Sequence, residues 1–218
     1  MVAEAPYAIL IAGAVLVGLY LANQFLDTGG RQWLTRKVGH LAGAAGYILC
    51  AYMFSSYIWP LILSVGFTLL LGITRILRGP TIFRGVARTG TWAEMWYPLS
   101  GSIVLAIVWG IFDKPFIAVA CITMMGSGDA ITGMVRSKFC STPQKHWSGS
   151  VAMFACCLLL AWCFIQPFLI GALAAIGATL AEWLCGDVGK VRWLDDNLAI
   201  PIVSAAVTCG GLYVFGLL

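Results

Sequence analysis

The sequence predicts an all-α fold: a polytopic membrane helix bundle of about eight transmembrane helices, forming a single integral membrane domain over residues 1–218. Three observations carry that expectation. The chain is 61% hydrophobic and only 10% charged, its mean hydropathy is +0.92, and apolar runs long enough to cross a bilayer recur along its length. Water-soluble domains carry about 25% charged residues.

A helix needs about 20 mostly apolar residues to cross the hydrocarbon core. Such runs lie at 6–26, 38–56, 58–77, 97–112, 115–135, 148–166, 168–185 and 198–217. The first follows "MVAEAP", which has Glu4 and no Lys or Arg, unlike a cleaved signal or transit peptide. It is expected to remain in the mature protein. The second follows the basic pair Arg36–Lys37, and the fourth, 97–112, is short enough to be tilted or partly re-entrant. The fifth and seventh hold acids, Asp129 and Glu182, and the sixth and eighth follow the polar stretches "KHWSGS" and "LDDN".

Threaded alternately, these runs place segments 27–37, 78–96, 136–147 and 186–197 on one side. Of the 13 basic residues, only Lys114 falls on the other side. The excess of Lys and Arg makes the basic face cytoplasmic and both termini non-cytoplasmic. The longest polar segment, around 78–96, has room for no more than an amphipathic surface helix. The eight cysteines are scattered, with no CxxC pair and no zinc-ligand spacing, and read as small packing residues. The net charge of +4 is explained by topology and anionic lipid headgroups, so no nucleic acid is called for. The short chain without a targeting extension suits a cell membrane better than an organelle membrane.

Of the nine acidic residues, Asp129 and Glu182 lie within spans, near their cytoplasmic ends; Glu94, Asp195 and Asp196 are read as cytoplasmic loop residues. Seven residues separate Asp129 from Arg136, about 10 Å of helix. An ionisable group at that depth is costly and is a functional candidate, the bland alternative being a structural pair with Lys or Arg. Three spans start on the cytoplasmic side with polar motifs: "RKVGH" at 36–40, "KHWSGS" at 145–150 and "LDDNLAIP" at 194–201. Helix N-termini with lysine and glycine nearby suit phosphate. Arg36, Lys37 and His40 are spaced to share a helix face. Ser148 is a candidate N-cap. Acids beside such an anion site are what a divalent cation and a polyphosphate need together. No Walker A or GxGxxG sequence is present.

"RKVGH", "GDAITGMV", "KHWSGSVAMF" and "LDDNLAIP", in this order between residues 36 and 201, resemble the polyprenol and phytol kinase family, which includes dolichol kinase and the fungal CTP-dependent diacylglycerol kinase. The resemblance implies a multi-span enzyme that transfers the terminal phosphate of CTP, with Mg²⁺ or another divalent cation, to the hydroxyl of a membrane lipid alcohol such as phytol, farnesol, geranylgeraniol or dolichol, at the cytoplasmic face. It implies Asp129, preceded by Gly128, as the central acid and metal ligand. Lys145, Gly149 and Ser150 would bind nucleotide phosphates, with Arg36, Lys37, His40 and Asn197 lining the site. Asp195 and Asp196 become candidates for base or metal ligand, and Glu182 a further metal candidate. His146 stands where relatives have Ser or Thr, and its imidazole is expected to replace that hydroxyl at the phosphate. Two other readings use similar residues: a CDP-lipid synthase acting on CTP and a lipid phosphate, whose longer signature is not matched, and an ion-coupled transporter, which would place acids near the midplane of symmetric halves. The sequence carries no signal for an oligomeric state.

Overall fold

The structure, a computed structural model, describes residues 2–26, 32–78, 92–139, 144–186 and 188–218. Asp27, Arg31, Cys140, Asp187 and the segment 79–91 with Arg84 and Arg88 lie outside them, so the amphipathic helix allowed there does too. Among the described residues the α-helices are α1 (Ala5–Leu26), α2 (Gln32–Met53), α3 (Ile58–Arg78), α4 (Ala93–Val104), α5 (Pro115–Phe139), α6 (Trp147–Phe164), α7 (Phe168–Leu184) and α8 (Asp196–Val214). Each answers to one of the apolar runs, and no strand occurs among the described residues. Five of them, α1, α3, α5, α6 and α8, are long and apolar enough to cross a membrane on their own composition. α2 is diluted by Arg36, Lys37 and His40, and α7, at 17 residues, is shorter.

The fourth run departs from expectation. α4 starts at Ala93, not Tyr97, and its helical path continues through a π-helical stretch, Leu105–Trp109, where the Gly110 N–H reaches back to Leu105 O at 2.9 Å. The chain there is a continuous helix rather than a re-entrant loop, and Glu94, read as a loop residue, sits in its first turn.

α5 is the hub of the bundle. Its sequence mixes Ala118, Ala120, Cys121, Gly126, Gly128 and Gly133 with larger apolar residues, and such small side chains let neighbouring helices approach closely. It packs against α2, α6 and α8, and the run Ala118–Ile122 is wholly inaccessible. α1 lies at the periphery, with Ile9, Leu10, Val17 and Phe25 more than half exposed, as a lipid-facing surface requires. Its N-terminus is tied down by Glu4, which accepts hydrogen bonds from the Ser55 N–H and hydroxyl, both at 2.8 Å. Those bonds, the N–H foremost, hold the Glu4 carboxyl below the ordinary carboxylate range.

Polar side chains clasp helices where no water can serve them. Asn197 Nδ2 donates to Ala93 O at 2.9 Å, and Ser100 Oγ to Asn197 O at 3.0 Å, joining α8 to α4. Ser204 Oγ reaches Cys121 O at 3.3 Å across the α8–α5 contact. The described cysteines are all free thiols.

Candidate functional site

Charged side chains from α2 to α8 meet at one end of the bundle. Asp129 stands about three turns before the end of α5, where the helix is enclosed, and its side chain is 11% exposed. Lys37 Nζ donates to both Asp129 oxygens at 2.6 Å, and His40 Nδ1 lies 2.8 Å from Oδ2. Lys37 and His40 are three residues apart on α2, so both reach the same carboxylate. The close fit depends on Gly133: a Cβ there would run into the Lys37 side chain. Asp129, for which the sequence led to an expectation of metal, is thus held by two side chains of α2. Arg36 precedes Lys37 on α2 and is half-buried.

A second charged group adjoins the first. Lys145, in the segment entering α6, donates to the Glu182 carboxylate at 2.6 Å and to its backbone oxygen, and lies 3.7 Å from Asp196 Oδ2. Arg136 NH1 is 3.7 Å from Glu182, whose side chain is 3% exposed. Glu182 thus has two cationic partners and acts as the buried counter-charge that fixes Lys145. Asp196, at the start of α8, is more open and lies in the electrostatic field of Asp129, Lys145, Lys37 and His40. It joins the two groups into one site.

The remaining candidates fall into different roles. Asp195 is the N-cap of α8, accepting from the Asn197 N–H at 2.9 Å, and Asn197 faces α4, as described above. The N-cap of α6 is His146, not Ser148: its Nδ1 accepts from the Ser148 N–H at 3.3 Å and lies 2.7 Å from Ser148 Oγ, while its ring stacks on Phe139. Gly128 and Gly149 serve close α5–α6 packing. A Cβ on Gly128 would meet Met153 and Cys157, and one on Gly149 would meet Thr132. Ser150 Oγ is buried without a hydrogen-bond partner among the described residues.

Sequence reasoning missed Glu94 and Tyr97. Glu94 Oε1 pairs with Arg75 NH1, the guanidinium of which also lies over the Trp92 ring, while Oε2 finds no partner among the described residues. Tyr97, one turn on, sets its ring edge-on to His40 with centroids 5.5 Å apart, and its hydroxyl is likewise unpartnered. The signal was the acid in "WAEMWYP" just ahead of an apolar run.

Among the described residues no group of three His, Cys, Asp or Glu side chains is disposed to hold a metal. Magnesium commonly takes only one or two carboxylates, with substrate phosphates and water completing its shell. Asp129 and Asp196, from facing helices and with Lys37 and Lys145 beside them, fit that mode. They do not fit an all-protein cage.

The chain is 25% identical over 216 residues to a phytol kinase of Synechocystis sp., in an alignment covering 93% of this chain and 89% of that protein. An alignment of that extent takes in residues 36 to 201, where the four motifs lie. It supports the resemblance to the phytol and polyprenol kinases. No family model matches the chain, and no solved structure matches it.

Proposed function

We propose that this protein is a lipid alcohol kinase that transfers the terminal phosphate of a nucleoside triphosphate, CTP in the first instance, to the hydroxyl of a prenol or polyprenol such as phytol, farnesol, geranylgeraniol or dolichol. The observation that carries the reading is the meeting of Asp129, Lys37 and His40 with Asp196, Lys145 and Glu182 at one end of a membrane bundle. The similarity to a phytol kinase supports it.

Phosphoryl transfer asks a protein mainly for positioning and charge neutralisation. Lys37 and Lys145 hold the β- and γ-phosphates, with Arg36 at the rim and the Ser150 hydroxyl available to a phosphate oxygen. Asp129 and Asp196 would hold Mg²⁺, which would supply neutralisation of the phosphate charge. Glu182 and Arg136 keep Lys145 oriented. The alcohol oxygen bonds to the γ-phosphorus, the bond between that phosphorus and the β–γ bridging oxygen breaks, and the nucleoside diphosphate leaves. The alcohol's proton passes to the His40 ring nitrogen that does not face Asp129. A carboxylate held against one imidazole nitrogen orients the ring and stabilises its protonated form. The site works on the cytoplasmic face, where Lys and Arg crowd.

Purified protein with Mg²⁺ and either CTP or ATP is expected to convert at least one alcohol of the series phytol, farnesol, geranylgeraniol, dolichol and diacylglycerol to its monophosphate, releasing a nucleoside diphosphate. Pyrophosphate release with a lipid phosphate as acceptor would point instead to a CDP-lipid synthase. No product across the series would refute the kinase. Asp129→Asn is expected to lower turnover by at least about 100-fold, in line with the loss of a transition-state charge partner.

A further inference from the structure

An apolar groove with a cavity volume of about 100 Å³ lies between α1, α2, α3 and α4. Ile11 and Leu19 of α1 and Leu63 and Phe67 of α3 form its walls. Its floor is the glycine face of α2, where Gly43 lets the Tyr97 ring and Gly46 lets Val15 and Ile11 pack close against the helix. Along α2 the groove runs from His40 to Cys50, ten residues or about 15 Å.

One end of this channel is polar. There His40, Glu94 and Tyr97 line it, and His40 is the same residue that bonds Asp129. Glu94 Oε2 and the Tyr97 hydroxyl are buried with no hydrogen-bond partner among the described residues, in residues only 6% exposed. Buried polar atoms are seldom left unmatched, because each costs its full desolvation. Here they sit one helical turn apart at the head of an apolar channel, one an acceptor and the other able to donate. A neutral hydroxyl matches both at once, donating a hydrogen bond to Glu94 and accepting one from Tyr97. A phosphate monoester, largely dianionic at neutral pH, would set its charge against the Glu94 carboxylate.

We propose that this groove is the acceptor site. The hydrocarbon chain of an uncharged, single-headed lipid alcohol lies between α1 and α3 over the glycine face of α2, and its hydroxyl rests between Glu94, Tyr97 and His40. The assignment rests on the kinase reading and adds to it the place and chemical class of the acceptor. His40 is the link, since it faces the groove and contacts Asp129 of the phosphate site. Glu94 and Tyr97 select the hydroxyl and present it to the ring.

The test combines labelling with kinetics on the full-length protein in lipid nanodiscs. A geranylgeraniol analogue with a diazirine in its chain is photolysed with the wild type, and the labelled peptides are mapped. Label is expected in α1, α2 and α3, removed by excess geranylgeraniol and retained with excess phosphatidylcholine. Label confined to α6–α8, or displaced equally by phosphatidylcholine, overturns the assignment. In parallel, Leu63→Trp narrows the far end of the groove. It is expected to raise KM for geranylgeraniol about tenfold while leaving KM for the nucleotide and for a short alcohol such as prenol unchanged. Tyr97→Phe tests the head without filling it, and is expected to raise KM for every alcohol while leaving that of the nucleotide alone. Unchanged alcohol KM in both variants refutes the groove while the kinase stands. A wild type that phosphorylates no alcohol, yet shows groove label displaced by geranylgeraniol, refutes the kinase while the groove stands.

Discussion

Asp129 and Lys37 form a buried pair, so stability and activity are coupled at that point. Removing one member of such a pair leaves an uncompensated charge, at a cost of about 3–5 kcal/mol, whereas removing both is often nearly neutral. Lys37→Met is accordingly expected to lower the melting temperature in detergent, with His40 as the remaining hydrogen-bond partner of Asp129. Adding Asp129→Asn to Lys37→Met should restore most of the lost stability and none of the activity. A double variant as unstable as Lys37→Met would mean that Lys37 acts through packing and not through charge. The depth and cost of Asp129 were visible in the sequence because few acids sit in its apolar runs. Its partners were not: Lys37 and His40 lie 92 and 89 residues away, and a shared helix face says nothing about which helix it meets. Glu182 and Lys145 are the same case, legible as a candidate acid and a candidate phosphate ligand but not as each other's partner.

At the scale of elements, the start of α8 separates structure from chemistry. Asp195 and Asp196 are adjacent and alike in the sequence, yet one caps the helix and the other faces the charged cluster. Asp195→Ala removes a capping bond and is expected to cost about 1 kcal/mol of stability, with turnover per folded molecule largely kept. Asp196→Asn should leave the melting temperature nearly unchanged and abolish turnover. Thermal melts and single-turnover assays on the two variants check both; the opposite pattern would reverse the roles. α5 makes a parallel case. Gly133→Val would drive a side chain into Lys37 and is expected to raise the nucleotide KM several-fold more than the alcohol KM, because Lys37 and not the groove is displaced. Helix positions were readable from hydropathy to within a few residues, except that α2 starts at Gln32, six residues before its apolar run, and α4 at Ala93, four before its own. The first turn of α4 carries Glu94, and hydropathy counts a carboxylate as loop. The Arg75 guanidinium, brought from α3, pairs with that carboxylate inside the bundle.

Among the described residues, the alternation of α1 to α8 sends Lys37, Arg75, Arg136, Lys138, Lys145, Lys190 and Arg192 to the end that carries the site, and Lys114 to the other. Short basic segments are retained on the cytoplasmic side during insertion, and the proposed kinase would draw its nucleoside triphosphate from the cytoplasm, so charge distribution and the proposed chemistry call for the same orientation. Alkaline phosphatase fused after Leu218 is expected to be active when the chain is made in a bacterial cell, and a fluorescent protein fused there to stay dark, since the two report opposite sides. Sealed inverted membrane vesicles should then phosphorylate an added alcohol when the nucleotide is supplied from outside, and right-side-out vesicles only after permeabilisation. A fluorescent C-terminal fusion together with turnover confined to intact right-side-out vesicles would invert the bundle. The basic residues would then owe their clustering to the phosphate site alone.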